Sequence, residues 1–158
     1  MNKQSAVRGK PSRLGSTEEI LYLALLRTGD MLSRAVDQLL KTEDLSSNQY
    51  NVLRILRGEP GGLACGKIGS RMITRDPDIT RLLDRLERRG LISRWRDSTD
   101  RRTVMARITA GGLKLLTSLD EPIRRLHSKQ LGHLSRERQH ELARLLSLAR
   151  ASVGDEKS

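Results

Sequence analysis

The stretch from Arg75 to Ile108 restricts the fold of this chain more than any other part of the sequence. Its first half predicts a short amphipathic helix, with Asp76 suited to the N-cap, Pro77 to the first helical position and Gly90 to the C-terminal cap. One face of this helix should be core and the other, mostly arginine, should face outward. The apolar face repeats at helical spacing and consists of Ile79, Leu82, Leu83 and Leu86.

The second half of the stretch predicts a β-hairpin. Residues 91–95 form a first strand, residues 97–102 a turn with basic residues at its tip, and residues 103–108 a returning strand. Val104, Ala106 and Ile108 alternate onto one face of that second strand. A basic helix followed by a hairpin with an arginine tip is the layout of a winged helix. In that layout the helix fits the major groove of DNA and the tip reaches an adjacent minor groove.

Two segments within this stretch resemble a known family. DITRLLDRLERRGLISR and RDSTDRRTVMARITAGG look like the recognition helix and the wing of the MarR family of bacterial transcription regulators. The order of elements agrees from about Glu19 to about Arg150. The resemblance implies a mainly α protein with a small β-wing, built as a winged helix-turn-helix core with N- and C-terminal dimerisation helices. It also implies a homodimer that binds operator DNA and responds to small ligands or oxidants.

The charge of the chain agrees with a nucleic-acid partner. Its 158 residues carry a formal net charge of +11, from 30 basic and 19 acidic side chains. Residues 71–107 contain eleven arginines and no lysine against six carboxylates, which leaves +5 in this stretch. Arginine forks phosphates and guanine edges in two-point geometry, which lysine does less well. Basic charge therefore favours double-stranded DNA over a membrane surface, although a merely basic, soluble protein would have a similar total.

Other features of the composition exclude several classes of protein. A single cysteine, Cys65, excludes an intrachain disulfide and fits a reducing cytoplasm. No apolar run approaches the roughly 18 residues of a membrane span, and the basic N-terminus lacks the apolar core of a secretory signal. The chain has one tryptophan, two tyrosines and no phenylalanine, which disfavours base-stacking on single strands. We expect a cytoplasmic protein that is associated with the bacterial nucleoid when it is bound to DNA.

Capping signals divide the chain into four segments. Residues 1–15 predict a disordered arm, 16–44 an N-terminal dimerisation helix, 45–109 the DNA-binding lobe and 110–154 the C-terminal dimerisation helices. Helices should start at the capping residues Ser16, Ser46, Thr109 and Ser135, and a short supporting helix should span Cys65 to Met72. The helices outside the lobe exceed what DNA binding needs. A two-fold dimer would use them and would set two recognition helices about 34 Å apart.

The predicted recognition helix supplies the first group of candidate DNA contacts. Arg81 is expected to contact a base, most simply guanine, with a phosphate contact as the alternative. Thr80 could touch a thymine methyl group or a phosphate. For Asp78 we favour pairing with Arg81 or Arg75 over a contact to cytosine, because phosphates repel an unpaired carboxylate. Further along the helix, phosphate contacts or plain surface positions are expected for Arg85, Arg88 and Arg89.

The predicted wing supplies the second group. Arg101 matches the family arginine that enters the minor groove, where a narrow A·T groove concentrates negative potential. Asp100 resembles the family acid that pairs with a basic residue of the DNA-binding lobe, although a solvated turn would also explain it. Arg102 completes the wing set. Trp95 is expected to pack, because a lone aromatic residue in a strand usually does. Secondary phosphate contacts are expected from Thr74, Arg75, Arg94, Arg96 and Arg102.

Sequence is less informative about sensing. The family often binds aromatic carboxylates or phenols in a cleft beside the DNA-binding lobe, so the resemblance implies a small aromatic or phenolic effector, and no cofactor is expected. Cys65 near a helix start could sense oxidants, but a free cysteine is more often a small buried hydrophobe. The spacings of His127, His133 and His140 do not fit a helical zinc motif, so no metal site is predicted.

These observations lead to a sequence-specific transcriptional regulator that binds a pseudo-palindromic operator and represses by occluding a promoter. The alternative is a non-specific or architectural winged-helix protein, which would need only charge and not the ordered face of Asp78, Thr80 and Arg81. A protein-interaction module would favour neutral or acidic recognition and wing surfaces. An enzyme would need a catalytic constellation that this sequence does not contain.

Overall fold

A computed structural model of the chain describes residues 15–74, 76 and 78–154. Most of the predicted N-terminal arm, together with Arg75, Pro77 and residues 155–158, lies outside the described residues. The described chain is mainly helical with one small sheet and divides after Arg34 into two compact units. In chain order, its elements are α1 (Thr17–Lys41), α2 (Ser47–Arg57), β1 (Leu63–Ala64), α3 (Cys65–Arg71), α4 (Ile79–Arg88), β2 (Ile92–Arg96), β3 (Val104–Ile108), α5 (Ala110–Leu131) and α6 (Arg136–Gly154).

The first unit is the helical segment up to Arg34. The hydroxyl of Ser16 accepts a hydrogen bond from the backbone N–H of Glu19 at 3.2 Å, so the predicted start of α1 is confirmed. This segment buries little of its apolar surface within the chain. Its exposed apolar side chains include Ile20, Leu21, Tyr22, Leu23, Leu25, Leu26 and Met31.

The second unit contains the hydrophobic core. Aliphatic side chains from α2, α3, α4, the sheet and α5 form one buried cluster, as expected for a chain without phenylalanine. The predicted apolar face of α4 is part of it, because Leu82, Leu83 and Leu86 are buried. The largest fully buried side chains are Leu40, Leu53, Leu56, Ile68, Leu83, Leu86, Ile92 and Leu116.

The sheet has three antiparallel strands in the order β1-β3-β2. The predicted hairpin is present, with Trp95 opposite Met105 and Ile92 opposite Ile108. Ala106 and Ile108 are buried and Val104 is half-buried, which agrees with the predicted alternation. β1 was not predicted, because a two-residue strand is too short to show a period-two pattern. It pairs through Leu63 and Ala64 with β3 and so joins the wing to the start of α3.

Local capping chemistry fixes the start of α2, the end of α4 and the start of α5. Ser46 and Gln49 form a complete capping box at the start of α2, as predicted. Gly90 adopts a left-handed φ of 68° after α4, and its N–H and that of Leu91 donate to the carbonyls of Glu87 and Leu86. This is the Schellman arrangement, which ends the helix and directs the chain into β2. Thr109 caps α5 by accepting from the N–H of Gly112 at 3.1 Å.

In the part of the chain that the structure describes, no helix combines the length and the apolarity needed to cross a bilayer.

Candidate nucleic-acid interface

The start of α4 differs from the prediction. Asp78, not Asp76, is the N-cap residue, and its carboxylate accepts from the backbone N–H of Arg81 at 3.2 Å. The assignment of Asp76 as the cap was therefore wrong by two residues. Asp76 instead accepts from the N–H of Asp78 and from the side-chain amide of Asn48, both at 2.9 Å. These two hydrogen bonds, the backbone one first, lower the pKa of Asp76, and they tie the turn before α4 to α2.

The outer face of α4 has the composition that the sequence predicts. Thr80, Arg81, Arg85 and Arg88 are exposed on it. The Nε of Arg81 lies 3.0 Å from a carboxylate oxygen of Asp78, so the favoured pairing is present. Arg81 is nevertheless 77% exposed, and an exposed ion pair of this kind contributes little energy. The pair thus orients the guanidinium at the start of the helix while leaving its two terminal amino groups accessible.

Arg94, a predicted phosphate contact, forms hydrogen bonds to two carboxylates within the protein. Its Nε donates to Glu87 at 2.9 Å and one terminal nitrogen donates to Glu87 at 2.6 Å and to Asp84 at 2.5 Å. The side chain is only 21% exposed, and the hydrogen bonds to Glu87 are the main cause of its raised pKa. Both acids come from α4 and engage Nε and one terminal nitrogen of the guanidinium, while the predicted phosphate contact stays a prediction. Arg94 joins α4 to β2.

Arg89 also forms hydrogen bonds within the protein. Its guanidinium donates to the backbone carbonyls of Glu43 and Asp44, in the turn between α1 and α2. The carbonyls at the end of a helix attract a cation, which explains the position of Arg89. This contact makes Arg89 a link between α4 and that turn, and its phosphate contact stays a prediction.

The tip of the wing is organised by two carboxylates. Asp97 accepts from the N–H and the hydroxyl of Thr99 and from the N–H of Asp100, and these bonds, the hydroxyl one first, lower its pKa. Asp100 accepts from the N–H of Arg102 at 3.0 Å and from the hydroxyl of Thr103 at 2.8 Å. Among the described residues Asp100 forms no ion pair, so the expected pairing with the lobe is replaced by the turn role. Sequence reasoning did not single out Asp97.

Arg96 supports this turn from the strand. Its guanidinium donates to the backbone carbonyl of Arg101 at 2.8 Å, across the mouth of the hairpin. The side chains of Arg101 and Arg102 remain exposed at the tip. The wing thus presents two arginines on a turn that two carboxylates and a third arginine hold in shape.

Trp95 lies at the base of the wing, 37% exposed. A Cβ added to Gly62, whose φ is 89°, would lie 2.5 Å from the indole ring, so a glycine is required there. The Arg107 guanidinium lies 5.5 Å from the indole centroid, within cation–π range. Trp95 therefore packs, as predicted, and it joins β2 to the loop before β1.

The turn between α3 and α4 contains a residue that the sequence reasoning missed. Ile73 is 83% exposed, although it is apolar, and its backbone N–H donates to the side chain of Asn51 at 2.9 Å. Thr74, a predicted phosphate contact, is exposed beside it. An isolated exposed isoleucine next to a recognition helix offers an apolar surface of the kind that contacts thymine methyl groups.

Cys65 lies at the start of α3 and is half-buried. Burial raises the pKa of its thiol, and the nearby Arg94 lowers it by a smaller amount. A raised thiol pKa opposes the reactive thiolate that oxidant sensing requires. Among the described residues, no group of three or more His, Cys, Asp or Glu side chains is arranged to hold a metal ion.

Comparison with known proteins gives one consistent family. The model of the MarR family matches residues 45–104, which span α2 to the start of β3. A MarR transcription factor from Planctomyces limnophilus is 44% identical, with 86% of this chain and 99% of that chain covered and a TM-score of 0.67. The PcaV transcriptional regulator from Streptomyces coelicolor, crystallised with its natural ligand, is 30% identical, with 79% and 90% covered and a TM-score of 0.69.

Other known proteins share the fold at lower sequence identity or match this chain over only part of their length. The MepR–DNA complex from S. aureus has a TM-score of 0.74, covers 87% of this chain and 99% of that chain, and is 24% identical, so it shows a shared fold. Several curated transcriptional regulators that match the chain are covered over 53–78% of their own lengths.

Proposed function

Because the chain belongs to the MarR family of transcriptional regulators, we propose that it represses transcription by binding a pseudo-palindromic operator as a homodimer. Members of this family are regulators and not enzymes, and they bind DNA through a winged helix-turn-helix. In this proposal α4 enters the major groove and the tip of the wing enters an adjacent minor groove. The S. aureus protein MepR, which shares the fold, was crystallised with DNA.

The observation that carries the proposal is the ordered outer face of α4. Arg81 is fixed at the helix start by Asp78 but stays 77% exposed, so its terminal amino groups are free to contact a guanine edge. Thr80 and Arg85 lie exposed on the same helix. Asp78 serves as cap and as partner of Arg81, which supports orientation of a base-reading arginine more than neutralisation of charge. Arg81 is the proposed base contact, and Arg85 and Arg88 are proposed phosphate contacts.

The wing supplies the second contact. Arg101 is proposed to enter the minor groove, and Arg102 and Arg96 to contact phosphates beside it. A turn held by Asp97 and Asp100 gives these arginines a fixed base. A fixed base lowers the entropy lost when a side chain is ordered on DNA. In the proposal Asp97 and Asp100 do not contact DNA, because their oxygens already accept hydrogen bonds within the turn.

Exposed apolar surface on both units supports a homodimer. The first unit exposes seven large apolar side chains on one helical segment, and α6 in the second unit exposes Leu142, Leu145 and Leu148. Large exposed apolar patches are rare on soluble monomers, and such patches mark protein–protein interfaces. A second copy of the chain is the proposed partner, and two-fold symmetry would give two recognition helices about one DNA turn apart.

Release from DNA by a small effector is part of the proposal. The family resemblance suggests an aromatic carboxylate or a phenol, and PcaV, 30% identical to this chain, was crystallised with its natural ligand. Oxidant sensing through Cys65 is the weaker alternative, because burial raises the pKa of its thiol.

Selection from a random pool of duplex DNA tests the proposal. The protein is incubated with the pool at near-physiological salt, and the retained DNA is sequenced. An enriched inverted repeat with half-sites about one turn apart supports a dimeric, sequence-reading regulator. Retention without an enriched motif would favour the alternative of a non-specific or architectural binder, which needs only charge.

A further inference from the structure

A cavity of about 540 Å³ lies between the end of α1, the start of α2 and the C-terminal half of α4. Its volume falls within the range of small-molecule sites, about 300–1,000 Å³. Its lining combines four cations with one carboxylate, and the cations come from two separate helices. These charged residues are Lys41, Arg85, Arg88, Arg89 and Asp44.

Three of the four cations are available to a ligand. Arg89 already donates to the carbonyls of Glu43 and Asp44. Within the part of the chain that the structure describes, the other three cations, on Lys41, Arg85 and Arg88, form no ion pair. Like charges around one cavity repel one another, and a bound anion would relieve that repulsion.

Gln49 gives the cavity a buried polar group. Its side chain is 8% exposed, and its amide oxygen accepts from the backbone N–H of Ser46 at 3.0 Å. The NH2 group has no hydrogen-bond partner among the described residues. Every fully buried side-chain polar atom among those residues does have a partner, so the NH2 group is not fully buried. Gln49 is one of the residues that line the cavity, so its NH2 group is a candidate donor to a ligand there. It adds a donor beside the N-terminus of α2, where helix geometry also favours negative charge.

We propose that this cavity binds a small anion with at least two negative charges on phosphate or carboxylate groups, and that the anion competes with DNA. Guanidinium, ammonium and amide donors converge there, which suits such groups better than a largely apolar effector. Arg85 also belongs to the outer face of α4, so an anion held there would remove a proposed DNA contact. The competition rests on the proposed function, whereas anion binding itself does not.

The DNA backbone is a poorer fit to the same donors. A duplex presents its phosphates on a convex surface, which reaches exposed side chains at the rim of a cavity. Gln49 is 8% exposed, whereas Arg85 and Arg88 are exposed. In the proposal a small anion enters the cavity and accepts from the Gln49 NH2 group, whereas duplex phosphates contact only the exposed arginines.

Calorimetric titration with sodium pyrophosphate at constant ionic strength tests the proposal on the full chain. Gln49→Glu keeps the capping box, because glutamate serves in it as well as glutamine, but replaces the donor by a negative charge. Lys41→Gln removes a cation from the lining of the cavity. Lys114 is exposed on α5, so Lys114→Gln is the control that removes the same charge away from the cavity. The wild type should bind, Gln49→Glu and Lys41→Gln should bind at least about tenfold more weakly, and Lys114→Gln should match the wild type.

Two results would overturn the inference. One is no heat of binding for the wild type at millimolar pyrophosphate. The other is equal weakening in Lys114→Gln and Lys41→Gln, which would mean that net charge and not the cavity attracts the anion. Melting temperatures of the variants control for folding, and Lys41→Gln remains informative if Gln49→Glu unfolds. Citrate in place of pyrophosphate distinguishes carboxylate from phosphate recognition.

Competition on a selected duplex separates this inference from the proposed function. Pyrophosphate at constant ionic strength should release DNA from the wild type and not from Gln49→Glu. Pyrophosphate binding without any selected DNA sequence would reject the proposed function and keep the cavity. Selected DNA with no pyrophosphate binding would reject the cavity alone. Weaker DNA binding by Lys41→Gln and Gln49→Glu without anion binding would make the cavity a DNA contact and overturn the inference.

Discussion

Arg81 has to serve both an intramolecular pair and a proposed base contact. Its Nε faces Asp78, and its terminal amino groups remain accessible at the start of α4. We expect Arg81→Ala to relax sequence preference at one position of each half-site, at a cost of roughly 1–3 kcal/mol for the preferred base. Binding to the selected operator and to single-base variants measures this. A uniform loss across all variants would make Arg81 a phosphate contact instead.

Arg101 should behave differently, because a minor-groove contact reads the shape of the groove. Removing its side chain should weaken binding most on sites with A·T-rich flanks, where the narrow groove concentrates negative potential. Titrating Arg101→Ala against operators that differ only in their flanks checks this. Arg102→Ala, also exposed at the tip, is the matched control and should lose affinity evenly. Unchanged affinity of Arg101→Ala on A·T-rich sites would reject the minor-groove role.

Cys65 permits a prediction about pH. Burial raises the pKa of its thiol in the folded protein, so less thiolate is present near neutral pH than in the unfolded chain. The alkylation rate with iodoacetamide should therefore be lower in the native protein, and its rise with pH should be displaced to higher pH. Rates measured over a pH series with and without urea test this. A native rate that levels off at lower pH than the unfolded one would revive oxidant sensing.

At the scale of elements, Arg94 connects α4, the proposed recognition helix, to the wing. It pairs with Asp84 and Glu87 of α4 from its position on β2. We expect Arg94→Met to destabilise the fold by about 1–2 kcal/mol, below the value for fully buried pairs because both acids are about one third exposed. It should also weaken DNA binding, since α4 loses its anchor to β2.

Urea unfolding and operator binding measure the two effects of Arg94→Met. The exposed Arg88→Met is the matched control, with an expected loss of affinity and unchanged stability. Equal stability of Arg94→Met and the wild type would contradict the structural role of Arg94.

Helix starts could be predicted from the sequence where the capping residues lie close together in the chain. The start of α2 and the start of α5 depend on residues three apart, Ser46 with Gln49 and Thr109 with Gly112, and both were predictable. The cap of α4 was not. Asp76 and Asp78 are the same residue type, and either could cap a helix that starts nearby. In the structure Asp78 is the cap, and Asp76 accepts a hydrogen bond from Asn48, which is distant in sequence.

The sequence did not predict the protein partners of arginines that make tertiary contacts. Arg94 has the same local appearance as the other arginines, but its partners lie seven and ten residues earlier on a different element. Arg89 reaches carbonyls about 45 residues away. Charge patterning predicts which segment is basic, and it cannot assign individual guanidinium groups to DNA or to the protein. The DNA contacts proposed for Thr80, Arg81, Arg85, Arg101 and Arg102 remain predictions.

At the scale of the whole molecule, symmetry connects the proposed contacts to the operator. One protomer has one α4 and one wing, so a long pseudo-palindromic site requires two copies. The exposed apolar side chains of residues 20–31 and of α6 supply surface for that assembly. The net charge of +11 adds attraction to any duplex, so affinity alone does not establish specific recognition.

Spacing between half-sites tests the central claim most directly. The dissociation constant is measured for the selected inverted repeat and for the same repeat with five base pairs inserted between its halves. Five base pairs rotate one half-site by about half a turn, away from the second recognition helix of a two-fold dimer. We predict that the insertion weakens binding at least about a hundredfold, toward the non-specific level. Equal affinity for the two duplexes would contradict a dimer that reads both half-sites through α4.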